Sequence, residues 1–227
     1  MTYREFAPAA ALAPWVECFW TRSGDASERV VRVLPDGCAD LVFDLTAEEG
    51  MAVGTMTAPL EVRASDHDFL GVRFRPGRAA AFLRLPLADI TDAHLPVRDL
   101  HVRDVVSLET ELLRRLARAE VPEPRVDAAV DRIMKSGGAQ RVEEIADDIG
   151  ISRQHLARQF QRHVGVSPKM FARVMRFRRT MESLRSDETI EWADVAVRHG
   201  YYDQSHLIAE FRELAGDTPN AFHFSNR

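Results

Sequence analysis

The sequence predicts an α+β protein: a small antiparallel β-barrel or sandwich with short helices over residues 1–120, then an all-α domain over 121–227 built from two helix-turn-helix units joined by a linker helix. Residues 15–75 carry short β-branched and aromatic runs separated by turn signals, the pattern of a strand-rich domain. From residue 79 the apolar spacing changes to the rhythm of amphipathic helices. Residues 142–171 are matched in order by residues 192–222, an internal repeat.

Strands are expected at 16–22, 29–34, 39–45, 51–55, 60–63 and 69–75, with Ser23-Gly24-Asp25, Pro35-Asp36-Gly37 and Pro76-Gly77 as turns between several of them. A barrel with inward aromatics can hold a small-molecule effector, and Trp20, Phe43, Arg73 and Arg75 are the candidates for its lining. Tryptophan and phenylalanine in strands also serve as plain core. Arg73 and Arg75 alternate with Val72 and Phe74, so they share a strand face that solvent could equally cover. A short helix is expected at 79–83 and a longer one at 102–119, with Val105, Leu108, Leu112, Leu113 and Leu116 along one side. That stripe suits either the barrel or a second copy in a homodimer, and no sustained heptad selects between them. Pro122 and Pro124 punctuate the boundary.

Composition narrows the function classes. Of the 227 residues 45% are hydrophobic and 29% charged, as in globular proteins, and no apolar run approaches the roughly 20 residues of a membrane span. Glu5, Pro8 and Pro14 surround the small apolar stretch 9–13, so no export signal is expected. Cys18 and Cys38 lack metal-ligand spacing; no disulfide, metal or cofactor is expected, and the cytoplasm is the default compartment. The net charge of −5 argues against nucleic acid only as a sum. From 152 to 179 the charged residues are Arg153, Arg158, Arg162, Lys169, Arg173, Arg176, Arg178 and Arg179, with no Asp or Glu among them. Such a run is either a solvated helical face or an electrostatic footprint for DNA.

The repeat decides between those two. Val142, Ile145, Ala146 and Ile149 form an apolar stripe ending at Gly150, and Trp192, Val195, Ala196 and His199 repeat it up to Gly200. Ser152 and Asp203 are the expected N-caps of the following helices, the second unit having one extra turn residue, Tyr202. His155-Leu156 then matches His206-Leu207, Phe160 matches Phe211, Gly165 matches Gly216, Ser167-Pro168 matches Thr218-Pro219, and Phe171 matches Phe222. Two helices joined at a steep angle through a glycine turn are helix-turn-helix geometry. With Leu156 and Phe160 inward, Arg153, Gln154, Ala157, Arg158, Gln161 and Arg162 face out; the second unit offers Gln204, Ser205, Ile208, Ala209, Arg212 and Glu213.

Arginine grips guanine and glutamine grips adenine in the major groove. Base reading is therefore expected from Arg153, Gln154, Ala157, Arg158, Gln204, Ser205, Ile208 and Ala209, and phosphate contact from Gln161, Arg162, Lys169, Arg173, Arg176 and Arg212. Ser167-Pro168 opens a linker helix running to about residue 185, with Met170, Phe171, Val174, Phe177, Met181 and Leu184 on its apolar side. Its length of roughly 27 Å roughly suits two recognition helices about 34 Å apart. His155 and His206 each precede a core leucine and are expected to pack or hydrogen-bond, not to bind metal or read bases.

The stretches IADDIGISRQHLARQFQRHVGVSPKMFARVMRF and WADVAVRHGYYDQSHLIAEFRELAGDTPNAF resemble the two units of the AraC/XylS family of transcription regulators, over about residues 125–224. The resemblance implies a seven-helix domain that lays two recognition helices into adjacent major-groove segments of a double-stranded operator, in a regulator that meets RNA polymerase. By position, Gln154, Ala157 and Arg158 fall where the family makes first-unit base contacts, and Gln204, Ser205, Ile208 and Ala209 are their counterparts. Ala209 departs from the family's common basic residue and Glu210 follows it, so the second unit is expected to contribute less. LPDGCADLVFDL and GVRFRPGRAAAFLRLPLADITD resemble a sensor-like domain found ahead of AraC-type units, which implies a regulatory role without naming a ligand. Two other readings stand beside this one. A DNA-binding enzyme of the alkylation-repair type needs an activated cysteine, for which Cys38 is the candidate, but the sequence supplies no zinc cluster, nucleophile elbow or HExxH pair. Alternatively the N-terminal domain only docks a partner protein.

Overall fold

A run such as Ala39-Asp40-Leu41-Val42-Phe43-Asp44 sends alternate side chains to opposite sides of a strand, so each side must find its own environment. The computed structural model, which describes residues 2–24, 29–100, 102–119, 123–184 and 191–225, shows where each side goes. The strands are β1 (Tyr3–Phe6), β2 (Val16–Arg22), β3 (Val30–Val33), β4 (Ala39–Asp44), β5 (Glu49–Val53), β6 (Leu60–Arg63), β7 (Phe69–Phe74) and β8 (His94–Val97). Six form an antiparallel sheet in the order β1-β2-β7-β4-β5-β8, while β3 and β6 pair as a separate ribbon. The expected barrel or sandwich thus takes the form of an open sheet and a ribbon. The strands absent from the sequence reading, β1 and β8, are the two edges of the sheet. Edge strands need no alternating apolar face and tolerate proline, as at Pro96.

One sheet face, with Phe19, Leu41, Phe43, Leu70, Val72 and Phe74, is buried with Leu12, α1 (Ala80–Leu83), a 3-10 turn (Leu87–Ile90) and α2 (Val105–Leu116). Asp104 caps α2 by accepting from the Ser107 backbone N–H at 2.7 Å. Leu108 and Leu112 lie in this core with Val105 and Leu116 packed against it, while Leu113 of the expected stripe is exposed.

The second core is helical. It joins α3 (Pro124–Ser136), α4 (Val142–Asp148), α5 (Arg153–His163), α6 (Pro168–Ser183), α7 (Trp192–Arg198), α8 (Gln204–Ala215) and α9 (Pro219–Ser225), seven helices among the described residues. Helices α4 and α5 form one helix-turn-helix unit, α7 and α8 the other, with α6 between them. The turns depend on Gly150 and Gly200, whose φ values of 69° and 76° lie in the left-handed region where a Cβ is strained. Edge-to-face contacts between Phe160 and Phe171, and between Phe177 and Phe211 at 4.9 Å between ring centres, tie both units to α6. The expected boundary between residues 120 and 121 falls outside the described residues, as do Asp25 of the first turn, Pro122, and Arg185 at the expected end of the linker helix.

The two parts are in contact. Thr55 Oγ1 donates to the Val164 carbonyl and Thr91 Oγ1 to the Gly165 carbonyl, each at 2.5 Å, at the C-terminal end of α5. Arg78 pairs with Asp127 at 3.0 Å, and Arg32 Nη1 donates to the Ala215 carbonyl at the end of α8 at 3.1 Å. Among the described residues no helix is long and apolar enough to cross a membrane.

Candidate nucleic-acid interface

Each expected recognition helix begins at a side-chain cap. Ser152 accepts from the His155 N–H at 3.2 Å, and Asp203 from the His206 N–H at 2.7 Å, so each satisfies one of the donors left open at a helix start. Leu156 and Phe160 of α5 and Leu207 and Phe211 of α8 are fully buried, which turns the opposite faces outward. Arg153, Gln154, Arg158, Gln161 and Arg162 are exposed on α5, with Ala157 half-buried among them. On α8, Gln204, Ser205, Ala209 and Arg212 are exposed, while Ile208 gives part of its surface to the helical core. A cleft between the two units is lined by Arg153, Ala157, Lys169, Ala209 and residues 138–143 leading into α4, so expected reading residues of both units look into one concavity.

Arg158 is not a free arm. Its Nη2 donates to His155 Nδ1 at 3.1 Å, and His155 Nε2 meets Glu123 Oε2 at 3.0 Å. With Nδ1 accepting, the ring carries its proton on Nε2, and the Glu123–His155–Arg158 chain fixes the direction of the arginine. The expectation that His155 hydrogen-bonds is met, and its partner is itself one of the residues expected to read bases.

Two arginines expected at phosphates have another role. Glu210, only 1% exposed on the inner side of α8, accepts from Arg173 Nε at 3.0 Å and from Arg176 Nη2 at 2.9 Å. Glu213 takes the other edge of the Arg173 guanidinium and is held below the usual carboxylate range by it, while Arg173 is raised by Glu213 and then Glu210. Arg176 also lies over the Tyr201 ring, 4.9 Å from its centre. Arg173 and Arg176 therefore brace α6 against α8, and the acid-free run of the sequence is partly neutralised by acids of the second unit. Arg178 likewise faces Glu17 at 3.5 Å and Glu182 at 3.2 Å. Lys169 remains exposed beside the cleft.

The sequence reading passed over Tyr202 as a spacer, yet it stands 90% exposed one residue before the α8 cap. His206 stacks edge-on with Tyr201 and accepts from the Tyr202 N–H at 3.2 Å, the hydrogen-bonding role expected of it.

Of the four effector-pocket candidates, the sheet register puts Trp20 and Arg73 on the face beneath the ribbon. Phe43, 3% exposed, points to the opposite face, because it is odd where Asp40 and Val42 are even along β4. Arg75 follows the last residue of β7 and donates Nε to the Ala13 carbonyl at 2.8 Å. Phe43 and Arg75 are thus corrected to core and surface positions. Both cysteines are buried free thiols, Cys18 pushed up to about 11 and Cys38 well above its usual value, chiefly by burial.

Comparison with known proteins agrees with the helical geometry. Residues 145–223 match a family described as a helix-turn-helix domain, and residues 4–96 match a domain of unknown function, DUF6597. No match is found among curated protein sequences. Among solved structures, the C-terminal domain of AraT, a response regulator from Geobacillus stearothermophilus, is 25% identical over 47% of this chain and 88% of its own, with a TM-score of 0.43. The DNA-binding domain of AdpA, in complex with a target DNA, is 23% identical over 45% and 93%, with a TM-score of 0.42. ToxT from Vibrio cholerae covers 98% of this chain and 97% of its own at 8% identity and a TM-score of 0.45. Residues 145–223 thus form a helix-turn-helix domain of the AraC type.

Proposed function

We propose that the chain binds an operator sequence-specifically through two major-groove helices of unequal weight, and that its N-terminal domain controls this binding through a small molecule or through homodimerisation. The carrying observation is the exposed face of α5, where Arg153, Gln154 and Arg158 stand clear of the core and Arg158 is aimed by His155. Bidentate guanine and adenine contacts need such side chains held in direction. On α8, Gln204, Ser205, Ile208 and Ala209 supply register and modest discrimination. Phosphate contact falls to Gln161, Arg162, Lys169 and Arg212, all exposed, whereas the guanidinium groups of Arg173 and Arg176 are given to Glu210.

A thiol-based methyl acceptor finds less support, because both thiols are buried and raised, the reverse of what an activated thiolate requires. The test is selection of bound genomic fragments with the full chain, followed by titration of the recovered duplex with the Arg158→Ala variant. A loss of about 1 to 3 kcal/mol supports the assignment. Unchanged affinity for the recovered duplex would mean that α5 does not read it.

A further inference from the structure

Between the sheet and the ribbon lies a cavity of about 390 Å³, within the range of about 300 to 1,000 Å³ typical of small-molecule sites. The ribbon contributes Val31, Val33, Leu60 and Val62, and the sheet contributes Val42 and Met51, so the walls are apolar. Gly71 is what admits the Trp20 ring to this face, for a Cβ there would fall 2.2 Å from the indole. The polar side chains of the lining are Tyr3, Arg22 and Arg63 and, gathered at one corner, Asp36, Asp40 and Arg73. Arg73 Nε lies 3.4 Å from Asp36 and 3.5 Å from Asp40, longer than a good charged hydrogen bond. Trp20 Nε1, Asp40 Oδ1 and Arg73 Nε are buried and make no hydrogen bond of good geometry among the described residues, although both donors lean towards the Asp40 carboxylate. Buried polar atoms are ordinarily well satisfied, so three loosely paired groups at the edge of one cavity leave room for a further partner.

We propose that this cavity binds an uncharged, largely apolar small molecule whose single polar head, of the amide, amine or alcohol kind, donates to Asp40 and accepts from Trp20 or Arg73. The inference rests on the reading of the N-terminal domain as the controlling part, and names the chemistry that part responds to. At this corner an anionic head is disfavoured, because Arg73 already faces two carboxylates. Arg22, stacked 4.5 Å over Phe69, ends β2 opposite Phe69, four residues along β7 from Arg73 and roughly 13 Å away, and Arg63 lies on the ribbon. A permanently charged head would also have to leave water for an apolar enclosure, which costs more than a neutral one. Burial pushes Asp40 up to about 7, against the pull of Arg73.

The same walls touch the DNA-binding part. Asp36 and Cys38 line the cavity, and Gly37 between them sits against Met175 and Phe171 of α6. Arg32, between the wall residues Val31 and Val33, reaches the end of α8. A molecule that shifts the ribbon or the 36–38 turn therefore acts on contacts to both the linker helix and the second recognition helix.

The test uses N-phenylnaphthylamine, an uncharged arylamine with one N–H, and its anionic relative anilinonaphthalene sulfonate, titrated by fluorescence into the full chain. The neutral probe is expected to saturate, and the sulfonate to bind at least about tenfold more weakly. Val42→Trp fills the cavity from the sheet and is expected to abolish the signal; Met51→Trp, its cross-strand neighbour, is the second filler if the first does not fold. No saturable signal, equal or tighter binding of the sulfonate, or unchanged binding in a folded filler variant overturns the inference. Recovery of genomic fragments by the same preparation is read separately, so failure here and failure of the DNA-binding reading are distinct results.

Discussion

Arg176 and Glu210 join the linker helix to the second recognition helix: Nη2 meets Oε2 at 2.9 Å, with the carboxylate almost wholly buried. Removing a partner from a buried ion pair is costly because the remaining charge stays desolvated. Here Arg173 would keep Glu213, and Arg176 would keep the Tyr201 ring. Glu210→Gln is therefore expected to lower stability by about 2 to 4 kcal/mol, read from urea unfolding. A change under about 1 kcal/mol would show that the brace is dispensable.

Phosphate contacts can be separated from braces by salt. Lys169→Ala is expected to reduce the slope of log affinity against log salt by about 0.9, since one released counterion is lost. Arg173→Ala is expected to leave that slope nearly unchanged, because its guanidinium already faces Glu210 and Glu213. Equal falls in both variants would return Arg173 to the phosphate set.

Arg158 and His155 are expected to act as one unit. If His155 aims the arginine, His155→Ala should weaken operator binding by roughly a third to a half of the loss seen in Arg158→Ala, and the double variant should be no worse than Arg158→Ala alone. Additive losses in that cycle would mean that His155 works independently of Arg158.

These relationships differ in how far the sequence disclosed them. The helix-turn-helix units were legible because their signals are local: glycine turns, caps at Ser152 and Asp203, and apolar residues in helical spacing. Glu210 was passed over because it follows Ala209, an outward position. One residue is about 100° around a helix, and Glu210 belongs with the inward stripe of Leu207, Phe211 and Leu214. A lone acid in that stripe, with Arg173 and Arg176 one turn apart on the linker helix, was the available signal. The cavity needed pairing information that no single strand holds. Trp20 and Arg73 were within reach by their composition, but Asp40 and Val42 join them only through the β4–β7 register, and the ribbon that completes the walls follows from β3 meeting β6 with β4 and β5 between them in the chain.

Asp40 gives a pH signature. Its carboxyl rises from 3.8 to about 7, first through burial and with repulsion from Asp36, against the pull of Arg73 and Trp20. Cys38, from the turn beside β4, and Cys18 of β2 also feel this carboxylate, and both thiols are themselves raised. A carboxyl raised on folding stabilises the folded state fully below its unfolded value, and that contribution is lost as pH rises through the folded value. Stability attributable to Asp40 should therefore fall between about pH 4 and about pH 7. In Asp40→Asn this fall is absent, so urea midpoints of the two proteins at about pH 5 and about pH 8 should diverge. Parallel pH dependence would place the titration elsewhere.

Gly37 and Gly150 separate backbone strain from interdomain contact. Both have positive φ, 81° and 69°, so alanine at either pays the left-handed penalty of roughly 1 to 2 kcal/mol. At Gly150 nothing lies within 4 Å of an added Cβ, whereas at Gly37 the methyl would meet Met175 Cε and Phe171 Cε2 at 2.7 Å. Gly150→Ala is thus expected to show the backbone penalty alone. Gly37→Ala should add a steric cost of about 1 to 3 kcal/mol, relieved in part by moving the 36–38 turn away from α6. Because that turn also carries Asp36 and Cys38 into the cavity, Gly37→Ala should alter the affinity for N-phenylnaphthylamine, while Gly150→Ala should not. Equal unfolding free energies for the two variants, with the probe affinity untouched in both, would show that the turn and the linker helix are not mechanically joined.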